Sequence, residues 1–130
     1  MKFFKRSKDG GPESPVDAFF LFEIKSLGSI ALLRFNEGAR ETYHTHAFNA
    51  LTWFLRGDLT EEDKDGTYHV YRRSWLPKIT RRTKNHRVIA WTTSWCLTIR
   101  GPWAKTWTED DQTHHTVLTH GRKIVERTER

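Results

Sequence analysis

Apolar and polar residues alternate along this chain in short runs, and turn residues interrupt the runs at close intervals. Val16–Lys25 is apolar and rich in Phe, Ser29–Phe35 follows, and Asn36-Glu37-Gly38 reads as a turn. Glu41–His46 reads as extended, and Ala50–Leu55 as a strand that ends at Gly57-Asp58. Glu61–Gly66 reads as a polar hairpin tip, since Asp65-Gly66 is a strong turn pair. Thr67–Arg73, Lys78–Arg82, Arg87–Thr93 and Trp95–Arg100 are further strands, with Thr106–Trp107, Thr113–Thr119 and Lys123–Val125 as added edges. No stretch sustains the 3.6-residue period of an amphipathic helix. Many short strands with regular turn signals predict an all-β fold, a sandwich or a barrel.

Composition narrows this further. At 130 residues the chain is one domain. Only 36% of residues are hydrophobic, but 13% are aromatic, including six Trp, and large rings build a core from few residues. No apolar run approaches the ~20 residues of a membrane span. The single Cys96 excludes a disulfide scaffold. Met1–Arg6 lacks an apolar stretch behind its charges, so no secretory signal is read and the cytoplasm is expected.

The net charge of +6 sits mainly at the ends. Lys2, Lys5, Arg6 and Lys8 outweigh Asp9, and Arg122, Lys123, Arg127 and Arg130 outweigh Glu126 and Glu129. With Gly10-Gly11-Pro12 and Pro15 as breakers, residues 1–15 are expected to be a flexible basic arm, 16–120 the β-barrel, and 121–130 a basic tail. Between Gly66 and Thr108 there is no acidic residue, while acids gather at Glu61, Glu62, Asp63 and Asp65 and at Glu109, Asp110 and Asp111. Packed side by side, these segments neutralise one another. Held apart, they leave a basic face interleaved with Trp, which is the nucleic-acid-binding alternative.

Seven histidines carry the candidate chemistry: His44, His46, His69, His86, His114, His115 and His120. Residues two apart on a strand point to one face, so His44 and His46 aim two imidazoles at one place. His86, opening the strand Arg87–Thr93, is the best third donor. Three imidazoles with open positions suit Fe(II), Mn, Ni, Co or Zn. A chance HxH in a chain this rich in His stands beside that reading. His114 and His115 are adjacent and point oppositely, and His69 and His120 read as surface residues. Cys96 reads as a small buried side chain.

The run from Gly38 through His44-Thr45-His46 to Gly57 resembles the first cupin motif, in which glycines bracket HxH and a later Glu. Both glycines and both histidines fit, whereas Ala50 stands at the place of the Glu. In the second motif Pro77 answers the Pro, Ile79 replaces a Gly and Arg82 the expected His, so His86 would be a displaced third histidine. The order His44-Thr45-His46-Ala47-Phe48-Asn49, Leu55–Glu62, Arg81–Arg87 and Leu97–Pro102 followed by Trp107 is similar to small cupin-like proteins of phages and bacteria, which carry Asp at the place of Asn49 and Gly at that of Asp58.

The resemblance implies a cupin-type jelly-roll barrel (a double-stranded β-helix) whose interior serves as the pocket. It implies a divalent metal (Fe, Mn, Ni or Zn) on His44, His46 and His86, with Asn49, Thr52, Phe54 and Trp107 as pocket residues. The function expected from it is a metal-dependent oxygenase or related enzyme acting on a small polar substrate. The alternative is a non-catalytic cupin that binds a small ligand or a host protein, with a homodimer as a further expectation. Arg81, Arg82, Arg87 and Arg100 could receive an anionic substrate, and Trp53, Trp91, Trp95, Trp103 and Trp107 could stack on a ring, although solvated arginines and packed indoles are the plainer readings.

Overall fold

The computed structural model describes residues 2–9, 14–39, 43–110, 114–119 and 122–129. Among these residues the strands are, in order, β1 Lys2–Lys8, β2 Val16–Ile24, β3 Gly28–Phe35, β4 Gly38–Ala39, β5 Tyr43–His44, β6 Ala50–Arg56 and β7 Leu59–Asp63, then β8 Tyr68–Tyr71, β9 Lys78–Thr80, β10 His86–Ala90, β11 Ser94–Arg100, β12 Thr106–Asp110, β13 His114–Thr119 and β14 Lys123–Glu129. One sheet runs β1-β2-β3-β11-β6-β9. The other runs β14-β13-β12-β5-β10-β7-β8, with β4 paired to β10.

Strand alternation decides what lies between the sheets. In β11, Ser94, Cys96, Thr98 and Arg100 are buried and point inward, beside Ala31 and Leu33 of β3 and Ala18 and Phe20 of β2. Val16, Ala18, Phe20, Ala31, Leu33, Leu59, Ala90 and Cys96 form the larger core, and Ala47, Phe48, Trp107 and Leu118 a second one. Several of these inward residues are small. They do not fill the barrel, and a cavity of about 300 Å³ remains between the sheets.

The ends of the chain differ from the sequence reading. Residues 2–8, expected as part of a flexible arm, form β1, which pairs along β2 from Lys2↔Glu23 to Lys8↔Asp17. Lys8 and Arg6 bring their charges to buried Asp17, which Arg34 of β3 also meets. Residues 123–129, expected as a tail, form the exposed edge strand β14 beside β13. The expected hairpin tip also moves: Glu61 and Glu62 lie within β7, whose burial makes it an inner strand rather than a turn. The Gly10-Gly11-Pro12 breaker and His120 fall outside the described residues.

The acid-free segment packs against the acids. Lys78 and Lys84 meet Glu61, Arg87 meets Glu62, and Arg72 meets Asp58. These pairs remove much of the bare basic face on which the nucleic-acid alternative depended.

Candidate metal centre

Three elements deliver the histidines. His44 ends β5 and lies directly across from His86 at the start of β10. His46 follows in the loop to β6, where its backbone N–H donates to Arg82 O at 3.2 Å. Thr45 between them is pinned to β12, its N–H donating to Thr108 O while its hydroxyl accepts Thr108 N–H at 2.8 Å. The three rings come together with centroids 4.9 Å apart for His44–His46 and 5.0 Å for each of the other two pairs. One ring nitrogen from each lies within 4.8 Å of the others.

A carboxylate that the sequence reading did not single out organises this cluster. Glu61, 2% exposed, accepts the Nδ1–H of His86 at 2.5 Å. It also accepts Lys78 Nζ at 2.7 Å on each oxygen, Lys84 Nζ at 2.8 Å and the Tyr71 hydroxyl at 3.2 Å. Burial alone would push its carboxyl up, but the hydrogen bonds from His86, Lys78 and Lys84 outweigh that and hold it well below the usual range. Burial pulls the Lys78 ammonium down in spite of Glu61, and burial followed by Glu61 pushes the Tyr71 phenol up.

Glu61 therefore only accepts, which places the His86 proton on Nδ1 and leaves the Nε2 lone pair facing the other histidines. That Nε2 lies 2.8 Å from His46 Nε2. Two nitrogens at right angles on one ion, each about 2.0–2.1 Å from it, stand about 2.9 Å apart. The donor set thus fits a divalent ion, and a carboxylate bound behind a ligating imidazole is the usual support of such a ligand. Glu61, Asp63 and His86 also cluster within the same reach. There, however, Lys84 touches both carboxylates and Lys78 a third oxygen position, so an added cation would meet ammonium charge. Of these two clusters among the described residues, the three-histidine one presents imidazoles rather than carboxylates already bridged by ammonium groups.

Of the other pocket candidates, Thr52, Phe54 and Trp107 line the cavity, and Ala50 shares their inward face. Asn49 does not. It is exposed, and its Oδ1 accepts Arg82 N–H at 2.8 Å, so it ties two loops together from outside. Two further histidines have partners of their own: His69 faces Asp63 at 3.4 Å, and His115 bonds Asp110 through Nδ1. Of the four arginines considered, Arg100 alone lines the cavity. Trp103 and Trp107 reach it edge to face, while Trp91 is 60% exposed and donates to Thr60. Cys96 lines the cavity with its thiol pushed up to about 12 by burial, as an inert buried residue would be.

Solved structures with a similar barrel include cupins. A sugar phosphate isomerase of the cupin superfamily from Silicibacter pomeroyi matches with a TM-score of 0.66 at 14% identity, over 98% of this chain and 88% of its own. Ectoine synthase from P. lautus gives 0.58 at 10% identity, over 70% and 67% respectively. An RmlC-like cupin from Shewanella frigidimarina gives 0.58 at 14%, over 76% and 84%. No protein-family model and no curated protein sequence matches the chain. The chain is thus an all-β protein of the jelly-roll class. Its fold is that of the cupins, with a histidine cluster inside that could hold a metal ion.

Proposed function

We propose that this cupin-fold protein is a metal-dependent enzyme acting on a small polar molecule inside the barrel, with the ion on His44, His46 and His86. The observation that carries the reading is the convergence of the three rings together with Glu61 behind His86. Three neutral imidazoles leave a divalent ion its charge and its open positions, from which it would polarise a substrate oxygen or activate dioxygen.

The chain supplies the surroundings. The cavity of about 300 Å³ suits a small molecule. Phe48, Phe54 and Trp107 exclude water from one part of it, and Lys78, Tyr71 and the facing hydroxyls of Thr52 and Thr98 offer polar contacts in another. Tyr71 keeps its proton at Oη, where it is donated to Glu61, because burial and Glu61 both oppose its loss. Two of the structural neighbours are named for enzymes, an isomerase and a synthase, which favours catalysis over simple binding.

A non-catalytic ligand-binding role is the second reading. It is favoured by Glu61, which is fully engaged and cannot serve as a mobile acid or base. Elemental analysis of purified protein, with thermal shifts on adding Fe(II), Mn(II), Ni(II) or Zn(II), tests the metal. One equivalent retained, and lost in His44→Ala and His86→Ala, is expected. No metal retained and no shift with any of the four would overturn the proposal.

A further inference from the structure

One positive charge is built into the inner wall of the six-stranded sheet. The Arg100 side chain is 4% exposed and lies in register with Ser29 of β3 and Ala50 of β6. Ala50 puts only a methyl group beside it. The guanidinium sits 4.5 Å from the Phe48 ring centroid and 5.8 Å from that of Phe20. Phe48 is itself 5.4 Å from the His46 ring, so a single aromatic side chain separates the guanidinium from the histidine cluster along one cavity wall.

The partner of this buried charge comes from the edge of the six-stranded sheet. Asp9, just past the end of β1, accepts both terminal nitrogens of Arg100, at 3.0 and 2.6 Å. Its side chain is 26% exposed, and β1 is an edge strand held to the sheet on one side only, by β2. Arg100 Nε is buried with no hydrogen-bond partner among the described residues. The fork of Arg100 thus closes on a carboxylate that borders solvent, while its uncommitted N–H remains inside.

We propose that Arg100 recognises a carboxylate or phosphate group on the molecule bound in the barrel, and that Asp9 occupies the fork until that group displaces it. A planar guanidinium pairs with any two-oxygen edge through parallel hydrogen bonds, and Asp9 already shows that geometry here. Both side chains line the cavity, so an incoming anion reaches the fork from within. The displaced Asp9 carboxylate is released at the surface, where water solvates it. The anion keeps the buried guanidinium paired, which avoids the cost of an uncompensated buried charge. Lys25 and Lys78 add positive charge to the same lining. Of the acids there, Glu61 is held by lysines, Glu109 by Arg122, and Glu23 lies two strands from Arg100 on the same inner row. The inference names the ligand class of the cavity in the proposed function, but it does not require the metal.

Calorimetric titration of full-length, chelator-treated protein with malonate and, separately, inorganic phosphate tests it. Binding by one or both is expected, and the one that binds identifies the anion. Asp9→Asn removes the internal competitor and tightens binding about tenfold if Asp9 holds the fork nine-tenths of the time. Arg100→Lys keeps the charge but loses the fork, and weakens binding about tenfold or more, with or without Asp9→Asn. In the wild-type chain, hydrogen exchange over residues 2–9 should speed up when the anion binds, a readout that needs no variant. The proposal is overturned if neither anion binds wild type or Asp9→Asn, if Arg100→Lys binds as wild type does, or if exchange over residues 2–9 slows or stays the same. Metal content of Asp9→Asn and Arg100→Lys is expected to equal that of wild type, so a failed metal reading and a failed anion reading are told apart.

Discussion

Glu61→Gln separates the structural work of the buried carboxylate from its work on His86. Gln keeps the shape and loses the charge. Oε1 accepts Lys78, Lys84 and Tyr71, and Oε2 accepts Lys78 and His86. Whichever side the amide nitrogen takes, it meets another donor. On the Oε2 side it faces the His86 Nδ1–H and can force that ring into the other tautomer. On the Oε1 side it faces three donors, the Lys78 and Lys84 ammonium groups and the Tyr71 hydroxyl. Removing one partner of a buried ion pair costs about 3–5 kcal/mol. Lys84, with its side chain 29% exposed, can turn to water, whereas Lys78 at 16% is more enclosed, so about 2–4 kcal/mol is expected here. Separately, loss of the group that orients a ligating imidazole lowers metal affinity about 10- to 100-fold. Urea unfolding in excess chelator reads the first effect, and Zn(II) competition against a chromophoric chelator on the folded protein reads the second. A folded Glu61→Gln protein that bound Zn(II) within about twofold of wild type would refute the claim that Glu61 sets the His86 tautomer.

Three further outcomes follow from the same packing. Burial pushes the Asp110 carboxyl up, but Lys64, Asn85 and His115 outweigh it and bring it down to about 2. A depressed folded value means that its contribution is complete above the ordinary carboxylate range and lost as pH falls toward about 2. Stability in chelator should therefore fall between about pH 5 and pH 2, and Asp110→Asn should flatten that limb, with an unchanged limb counting against the assignment. Cys96, fully buried with its thiol pushed up to about 12, should resist a thiol reagent in the native state and react in step with urea unfolding; prompt native labelling would contradict its burial. Gly57 has φ +106°, and a Cβ there would stand 2.6 Å from Ser94 Cβ and 2.7 Å from its Cα, while Gly38 at φ +127° has open space around it. Gly57→Ala should cost about 2–4 kcal/mol against about 1–2 for Gly38→Ala, measured by urea unfolding, and equal losses would show that the close approach to Ser94 does not matter.

The strands were largely legible because alternation needs only neighbouring residues: Val16–Lys25, Ser29–Phe35, Ala50–Leu55 and Trp95–Arg100 lie within a residue or two of β2, β3, β6 and β11. The pairing of His44 with His46 was legible for the same reason. His86 was the best third donor by its place at the opening of a strand, but that it meets them was not legible, because it depends on β10 meeting β5 across more than forty residues of chain. Glu61 was missed because three acids close to Asp65-Gly66 have the composition of a turn. Only the pairing of β7 with β10, which sets Glu61 opposite Val88 and Asp63 opposite His86, turns it inward. Asn49 was misplaced because a motif position gives sequence spacing but not which way the loop faces. The two ends were misread because charge and breakers mask edge strands. Lys8 and Asp17 meet in register across β1 and β2, a pairing that no local pattern contains.

Gly57 joins the two halves of the centre, since His44 and His46 precede it through β6 and Glu61 follows it in β7. Its bare α-carbon lets that bend nestle against Ser94 at the start of β11. A bulkier residue would wedge the bend off the sheet and carry the carboxylate away from the imidazole it steadies. In a functional screen such a variant would mimic the loss of a metal ligand, although position 57 offers no donor atom of its own.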